Sequence, residues 1–268
     1  MTDLTPIAPP ATRHQRSRGE VMATWTAGRL DRLRQAGSAK AIALPGPELV
    51  VINTSGGLTG GDRLSVDLTV GDGCAVTATT QTAERFYRAA EGTARITVTA
   101  RVGAAARLDW LPQETILFQG CAADRRTEID LAADATCLTV ETLILGRAAM
   151  GETLTRVALR DWRLIRRAGQ PVHLDPLALD PARLGTGTPG LAGARALSTV
   201  VLCAQGAEDA LAAARATLSE PGVTAAATGF DGRLIVRLMA PDGCPLRRQL
   251  LRLLTTLRPR PLPRVWQN

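Results

Sequence analysis

Two histidines, His14 and His173, and five cysteines, Cys74, Cys121, Cys137, Cys203 and Cys244, are the residues of this chain best suited to hold transition metals or to act as bases and nucleophiles. Their spacing favours neither use. The nearest cysteines, Cys121 and Cys137, are 16 apart and no CxxC occurs, so neither a zinc knuckle nor a redox pair is encoded. They read as reduced, mostly buried thiols. A Ser–His–acid triad would have to use His173, and no GxSxG elbow accompanies it, so a hydrolase is the weak alternative reading. HExxH is absent. The one lysine, Lys40, is followed by Ala41, which rules out a Walker A loop. A literal GxGxxG occurs at Gly185-Thr-Gly187-Thr-Pro-Gly190. It follows a proline-rich stretch and contains Pro189, so it reads as a loop and not as a dinucleotide site.

Carboxylates are more telling. Asn53-Thr-Ser-Gly-Gly-Leu-Thr-Gly-Gly-Asp62 holds four glycines in six residues, more than a hairpin turn requires. Either an elaborate loop or a partner surface explains it. Glu114 stands among Trp110, Leu111, Ile116, Leu117 and Phe118. Glu141 lies in Cys137–Leu145, a run apolar on both faces, as a buried strand would be. A carboxylate buried alone costs several kcal/mol, so Glu141 needs an arginine, with Arg147 the nearest, or a wet carboxylate-lined cavity.

The elements that must position these residues are mostly strands. Arg63–Val70 and Thr93–Val102 alternate apolar and polar residues with period two, which predicts half-buried antiparallel strands. Turn signals at Gly71-Asp-Gly73, Gly92, Gly103, Asp124, Asp134, Gly146 and Gly169 set strands roughly ten residues apart, as in a sandwich or a solenoid. No repeat of fixed period is visible. Two helices are predicted in the last third. Ala207–Ser219 has Glu208 and Asp209 in its first turn, and Pro221 stops it. A second helix opens at Pro245, ends before Pro259 and carries a stripe of Leu246, Leu250, Leu253, Leu254 and Leu257. Arg247, Arg248 and Arg252 lie off that stripe, either in water or facing an acidic partner. Residues 1–19 read as a mobile tail and 20–268 as one β-rich domain.

The chain has 268 residues, 45% hydrophobic and 3% aromatic, with a formal charge of +7. Residues 1–40 contribute +4, residues 41–244 contribute −3 and residues 245–268 contribute +6. An acidic-leaning body with basic ends, and no basic stripe interleaved with aromatics, argues against nucleic acid. No signal peptide and no apolar run near the roughly 18 residues of a membrane span are present, which predicts a cytoplasmic protein without a membrane partner.

Five segments occur in a fixed order: Ser55-Gly-Gly-Leu-Thr-Gly-Gly-Asp62, Thr79-Thr-Gln-Thr-Ala-Glu-Arg-Phe-Tyr-Arg88, Trp110-Leu-Pro-Gln-Glu-Thr-Ile-Leu-Phe118, Gly146-Arg-Ala-Ala-Met-Gly-Glu152 and Pro263-Arg-Val-Trp266. Together they make residues 20–268 closely resemble the urease accessory protein family UreD (UreH). Thr59 stands where valine is common, and Ser38-Ala39 where Pro-Leu is usual; the first residues match nothing. The resemblance implies a non-enzyme. Its fold would be mainly β, an irregular helical stack of antiparallel strands with two helices in the C-terminal third. It implies a scaffold or chaperone that works with UreF and the GTPase UreG, docks on apo-urease and delivers nickel for metallocentre assembly. A homodimeric arrangement within that complex is also implied. No cofactor would be tightly bound; Ni²⁺ would pass transiently. Two histidines and no histidine-rich tract fit transit better than storage. Matching motif positions nominates Asp62, Glu114, Glu141 and Glu152 as a nickel path. A path needs several weak sites, each good enough to enter and poor enough to leave.

Overall fold

A computed structural model describes residues 15–184 and 190–267. The start of the expected tail, His14 and most of the GxGxxG loop lie outside the described residues. Two sheets stack face to face. The first has seven strands: β1 (Arg18–Thr26), β2 (Arg29–Gly37), β5 (Arg63–Val70), β8 (Ala94–Val102), β11 (Cys121–Leu131), β13 (Val157–Arg167) and β14 (Gln170–Leu179), in the order β14-β13-β11-β8-β5-β1-β2. The second runs β16-β17-β15-β12-β9-β6-β4-β3. Its members are β3 (Ala39–Leu44), β4 (Glu48–Asn53), β6 (Ala75–Thr80), β9 (Arg107–Leu111), β12 (Thr136–Leu145), β15 (Ala196–Cys203), β16 (Thr224–Phe230) and β17 (Arg233–Ala240). Two short strands, β7 (Glu84–Phe86) and β10 (Thr115–Leu117), attach through β12.

From β4 to β13 the chain alternates between the sheets, staying in the second sheet only for the short strands β7 and β10, so the middle of the molecule is an irregular solenoid. The mainly β stack with helices in the C-terminal third is therefore present. Its strand direction needs correction. β5 pairs parallel with β1 and β8, and β8, β11 and β13 continue in parallel. In the second sheet β4, β6, β9 and β12 are parallel too. Among the described residues the antiparallel strand pairs lie toward the margins, as in β1·β2, β13·β14 and β15·β17. Alternation reports which face is buried, not which way the neighbour runs. Leu64, Val66, Leu68 and Val70 point into the core, while the other residues of β5 are half-buried or exposed.

The two edges of the solenoid differ. One has tight turns at Gly71, Gly103 and Ala132, spaced 32 and 29 residues apart. Asp72 Oδ1 accepts from the Ala104 N–H at 2.8 Å and Asp134 Oδ1 from the Ala105 N–H at 2.9 Å, so each aspartate ties its turn to a neighbouring one. The other edge carries longer corners that precede β5, β8, β11 and β13. Unequal corner lengths conceal the period from a sequence search. Asp124, expected in a turn, is instead inside β11.

The second sheet is covered on both faces, which explains the doubly apolar run in β12. Cys137, Leu143 and Leu145 face the first sheet, while Leu138 and Val140 join a second core with the helices. A one-turn helix α1 (Pro181–Leu184) precedes α2 (Leu211–Thr217) and α3 (Gly243–Leu257). The segment Ala207–Ala210 is a tighter 3₁₀ turn leading into α2. Asp242 caps α3 by accepting from the Cys244 N–H at 2.8 Å, and the helix stops at Leu257 because Arg258 precedes a proline. All five leucines of the predicted stripe are buried. Trp266 closes the same core: its Nε1–H donates to Leu111 O at 3.0 Å. Leu254→Ala should therefore cost about 2–5 kcal/mol, read by urea denaturation; a cost below about 1 kcal/mol would show that α3 does not pack on the sheet.

Candidate functional site

Inward parity decides which side chains meet between the sheets. In β11 the inward set is Cys121, Ala123, Arg125, Thr127, Ile129 and Leu131; in β13 it is Val157, Leu159, Asp161, Arg163 and Ile165. Arg125 and Asp161 are direct partners in the parallel register. Glu141 reaches them from β12 in the facing sheet. Arg125 Nε and Nη2 donate to Asp161 Oδ1 and Oδ2 at 3.0 and 2.6 Å, and Nη1 lies 2.7 Å from Glu141 Oε2. Thr115 Oγ1 and the Trp110 indole N–H add bonds at 3.1 and 3.3 Å, to Arg125 and Glu141 respectively.

The charges continue outward in alternation. Arg163 Nη2 is 3.2 Å from Asp175 Oδ2, and Arg237 Nη2 is 3.2 Å from Asp175 Oδ1. The line Glu141, Arg125, Asp161, Arg163, Asp175, Arg237 thus runs from full burial to an arginine side chain that is 59% exposed. Its outer joints are looser: Arg163 Nε and Asp175 Oδ2 make no hydrogen bond among the described residues. Burial pushes the Glu141 carboxyl above its ordinary range, against the pull of Arg125. Burial acts on Asp161 in the same sense, but Arg125, by charge and hydrogen bonds, outweighs it and holds that carboxyl low.

A cavity of about 680 Å³ opens where β14 faces β15, β16 and β17. Arg125, Glu141, Arg163 and Asp175 bring charge to its wall; Leu177, Leu197 and others make the rest apolar. Glu141 and Arg163 also border a space of about 10 Å³ beside Thr127, Thr139 and His173, room for about one water. His173 is buried, its imidazole makes no hydrogen bond among the described residues, and burial pushes that imidazole down to about 4, with Asp175 opposing the shift. It has no hydrogen-bonded nucleophile, which leaves the hydrolase alternative without a mechanism.

The four nominated carboxylates are not brought together. Glu141 alone lines the cavity, and its arginine is Arg125, not Arg147, so salt bridge and cavity coexist there. Arg147 instead holds Glu152 at 3.0 Å through both Nε and Nη2, lowering that carboxyl by hydrogen bonding. Asp62 is buried and accepts from the Ser17 and Thr59 N–H groups at 2.7 and 2.8 Å, pinning the glycine loop to the chain before β1. Glu114 is 3.6 Å from Arg247 of α3. Arg248 and Arg252 both pair with Glu220, so the arginines off the leucine stripe are engaged within the chain. Among the described residues no group of three or more His, Cys, Asp or Glu is placed to hold a metal. Arg125, Asp161, Arg163 and Asp175 were missed by sequence reasoning. Charged residues at apolar parity in β11 and β13 were the available signal for the first three; Asp175 lies in β14.

The glycine loop is needed for contact. A Cβ on Gly57 would lie 2.4 Å from the Tyr87 ring, and one on Gly60 would lie 2.0 Å from Glu91 O. Its outer rim is exposed at Ser55 and Gly56.

The profile of the UreD urease accessory proteins matches residues 18–267. The chain belongs to the UreD family of urease accessory proteins. The UreD protein of Cereibacter sphaeroides (strain ATCC 17025) is 57% identical over 272 residues, covering 98% of this chain and 99% of its own. That of Paracoccus denitrificans is 50% identical, covering 97% and 95%. That of Rhizobium leguminosarum bv. trifolii is 43% identical, covering 97% and 98%. This UreD-family chain is an accessory protein in urease maturation, not an enzyme. Among its described residues no helix is long and apolar enough to cross a membrane.

Two measurements check the charge line. Arg125→Met strands Glu141 and Asp161 and should cost about 3–5 kcal/mol in urea denaturation, with a loss under about 1 kcal/mol contradicting the pairing. His173 titrates near 4 in the fold against an ordinary 6.5. Its contribution is whole above pH 6.5 and fades as pH falls toward 4, because the unfolded chain takes the proton first. His173→Gln should remove up to about 3 kcal/mol of that acid destabilisation, measured as the difference between the two proteins across this window.

Proposed function

We propose that this protein acts with UreF and UreG on apo-urease and gives Ni²⁺ a passage through the space between its sheets. The observation that carries the reading is the alternating line of charges that leads from a buried carboxylate, Glu141, to an open cavity. Ni²⁺ is cargo here, not a resident ion. Oxygen ligands from Asp175, Asp161 and Glu141 suit a divalent ion, but each already has an arginine partner. Arginine neighbours repel a dication, so no single carboxylate becomes a deep trap. Sites that are weak and serial are what transit requires. The loosely bonded outer residues, Arg163 and Asp175, offer the easiest rearrangement.

Asp62, Glu114 and Glu152 are assigned to the ion's route by the resemblance alone, and each has internal partners. Glu141 has the added support of the cavity. The cytoplasm is the compartment that fits work on apo-urease.

Co-expression with urease and its other accessory proteins tests the passage. Glu141→Gln and Asp175→Asn should each lower urease nickel content and activity several-fold while leaving co-purification with UreF intact. Glu114→Gln, whose carboxylate lies away from the cavity, should have the smaller effect. Unchanged activation in Glu141→Gln and in all three other nominated carboxylate variants would overturn the passage.

A further inference from the structure

The ordered motifs that identified the family are scattered in sequence, yet four of them occupy the same edge of the solenoid. Ser55–Asp62 precedes β5, Thr79–Arg88 leads toward β8, Trp110–Phe118 precedes β11 and Gly146–Glu152 precedes β13. These long corners lie against one another. The Tyr87 hydroxyl donates to Gly56 O at 2.9 Å; Tyr87 and Phe118 meet edge-to-face at 4.9 Å; and the Arg147 guanidinium lies 4.6 Å over the Phe118 ring. Gly120 packs under Arg88, where an added Cβ would come within 3.2 Å of its side chain.

What this edge shows to solvent is unusual for the chain. Its one tyrosine is 37% exposed, and Met150 in the fourth corner is 72% exposed. Around them stand Arg85 and Arg88, both exposed and neither in a salt bridge among the described residues, although Arg85 Nη1 donates to Gly56 O at 3.5 Å and its charge acts on the neighbouring Glu84 carboxyl. Arg147, by contrast, is in a salt bridge with Glu152. Tyrosine, phenylalanine, methionine and arginine are the residues enriched at the centres of protein interfaces. Unpaired guanidinium groups favour carboxylates, which they bind as a planar fork.

We infer that this corner edge is a docking surface for an acidic protein partner, one that sets carboxylates against Arg85 and Arg88 and an apolar side chain beside Tyr87 and Met150. Charge complementarity selects the occupant. A nucleic acid would ask for a basic groove with free aromatic faces, whereas Phe118 is already covered by Arg147 and by the edge contact with Tyr87. The inference rests on the accessory-complex reading above but not on the ion's route.

Purified full-length chain is titrated with apo-urease and, separately, with the UreF–UreG complex, at low and high salt. Wild type is compared with the double variant Arg85→Glu/Arg88→Glu, with Tyr87→Ala, and with Arg101→Glu on the outer face of β8 as a charge control. The double variant and Tyr87→Ala should lose about tenfold or more in affinity for the same one of the two partners and keep the other, and the double variant should retain wild-type thermal unfolding. High salt should weaken that same contact in the wild type. Arg101→Glu should bind like wild type. Equal binding of both partners by all variants overturns the docking surface alone. So does an equal loss in Arg101→Glu, a change only in self-association, or a patch that binds duplex DNA in place of either protein. If the wild type binds neither partner, the accessory-complex reading falls and this inference with it.

Discussion

Arg125 lies between Glu141 and Asp161 in the space where the two sheets meet, and a guanidinium left unpaired there would cost several kcal/mol. Its carboxylates come from two directions. Asp161 is its neighbour within one sheet; Glu141 reaches across from the other. The cluster therefore acts as a pin in two senses. Sliding β13 by one residue against β11 would turn Asp161 to the outer face and set Arg160 or Trp162 opposite Arg125, neither of which could neutralise it. Shifting the sheets apart would remove Glu141. Buried ion pairs add little net stability, but they penalise the wrong arrangement heavily. The apolar core around Val21, Val66 and Val98 specifies register only by parity; the charged end also specifies partners.

That grading of the interior, apolar toward β1 and β5 and charged toward β13 and β14, decides where a cavity can exist. An apolar space of several hundred cubic ångströms between well-packed strands would collapse or remain empty. Here the wall near Glu141 and Asp175 is polar enough to hold water, while leucines on β14 and β15 keep the sheets from closing on it. The α3 helix and Trp266 cover the other face of the second sheet, so that sheet is packed between two cores at once.

Much of this was legible in the sequence. Period two marked β5 and β8, and a leucine stripe marked α3 with every stripe residue buried. Glu141 stood out because a strand apolar on both faces carried a charge. Its partner did not stand out, because Arg125 is 16 residues away and in another sheet, while the nearer Arg147 turns to Glu152. Strand direction was illegible for a simpler reason: parity is the same for parallel and antiparallel neighbours. Asp62 and Glu152 were conspicuous by motif, yet their oxygens are spent on backbone N–H groups and on Arg147, which serve the corners and not the interior.

The corners also explain why an ordered set of individually weak motifs is informative. Tight turns on one edge have room only for glycine, alanine and a bonding aspartate. Long corners on the other edge have room for side chains, and the solenoid brings successive corners to about one strand spacing, roughly 4.8 Å, from each other. Segments some thirty residues apart become one surface. The fourth corner is tied in addition to the border of the cavity: Arg195 Nη2 donates to Glu152 O at 2.6 Å, and the Ala194 N–H to Leu191 O at 2.7 Å, with Leu191 on the cavity wall. The fourth corner and the border of the cavity are thus joined by a few short hydrogen bonds, so the proposed docking surface and the proposed ion passage share one connected piece of backbone.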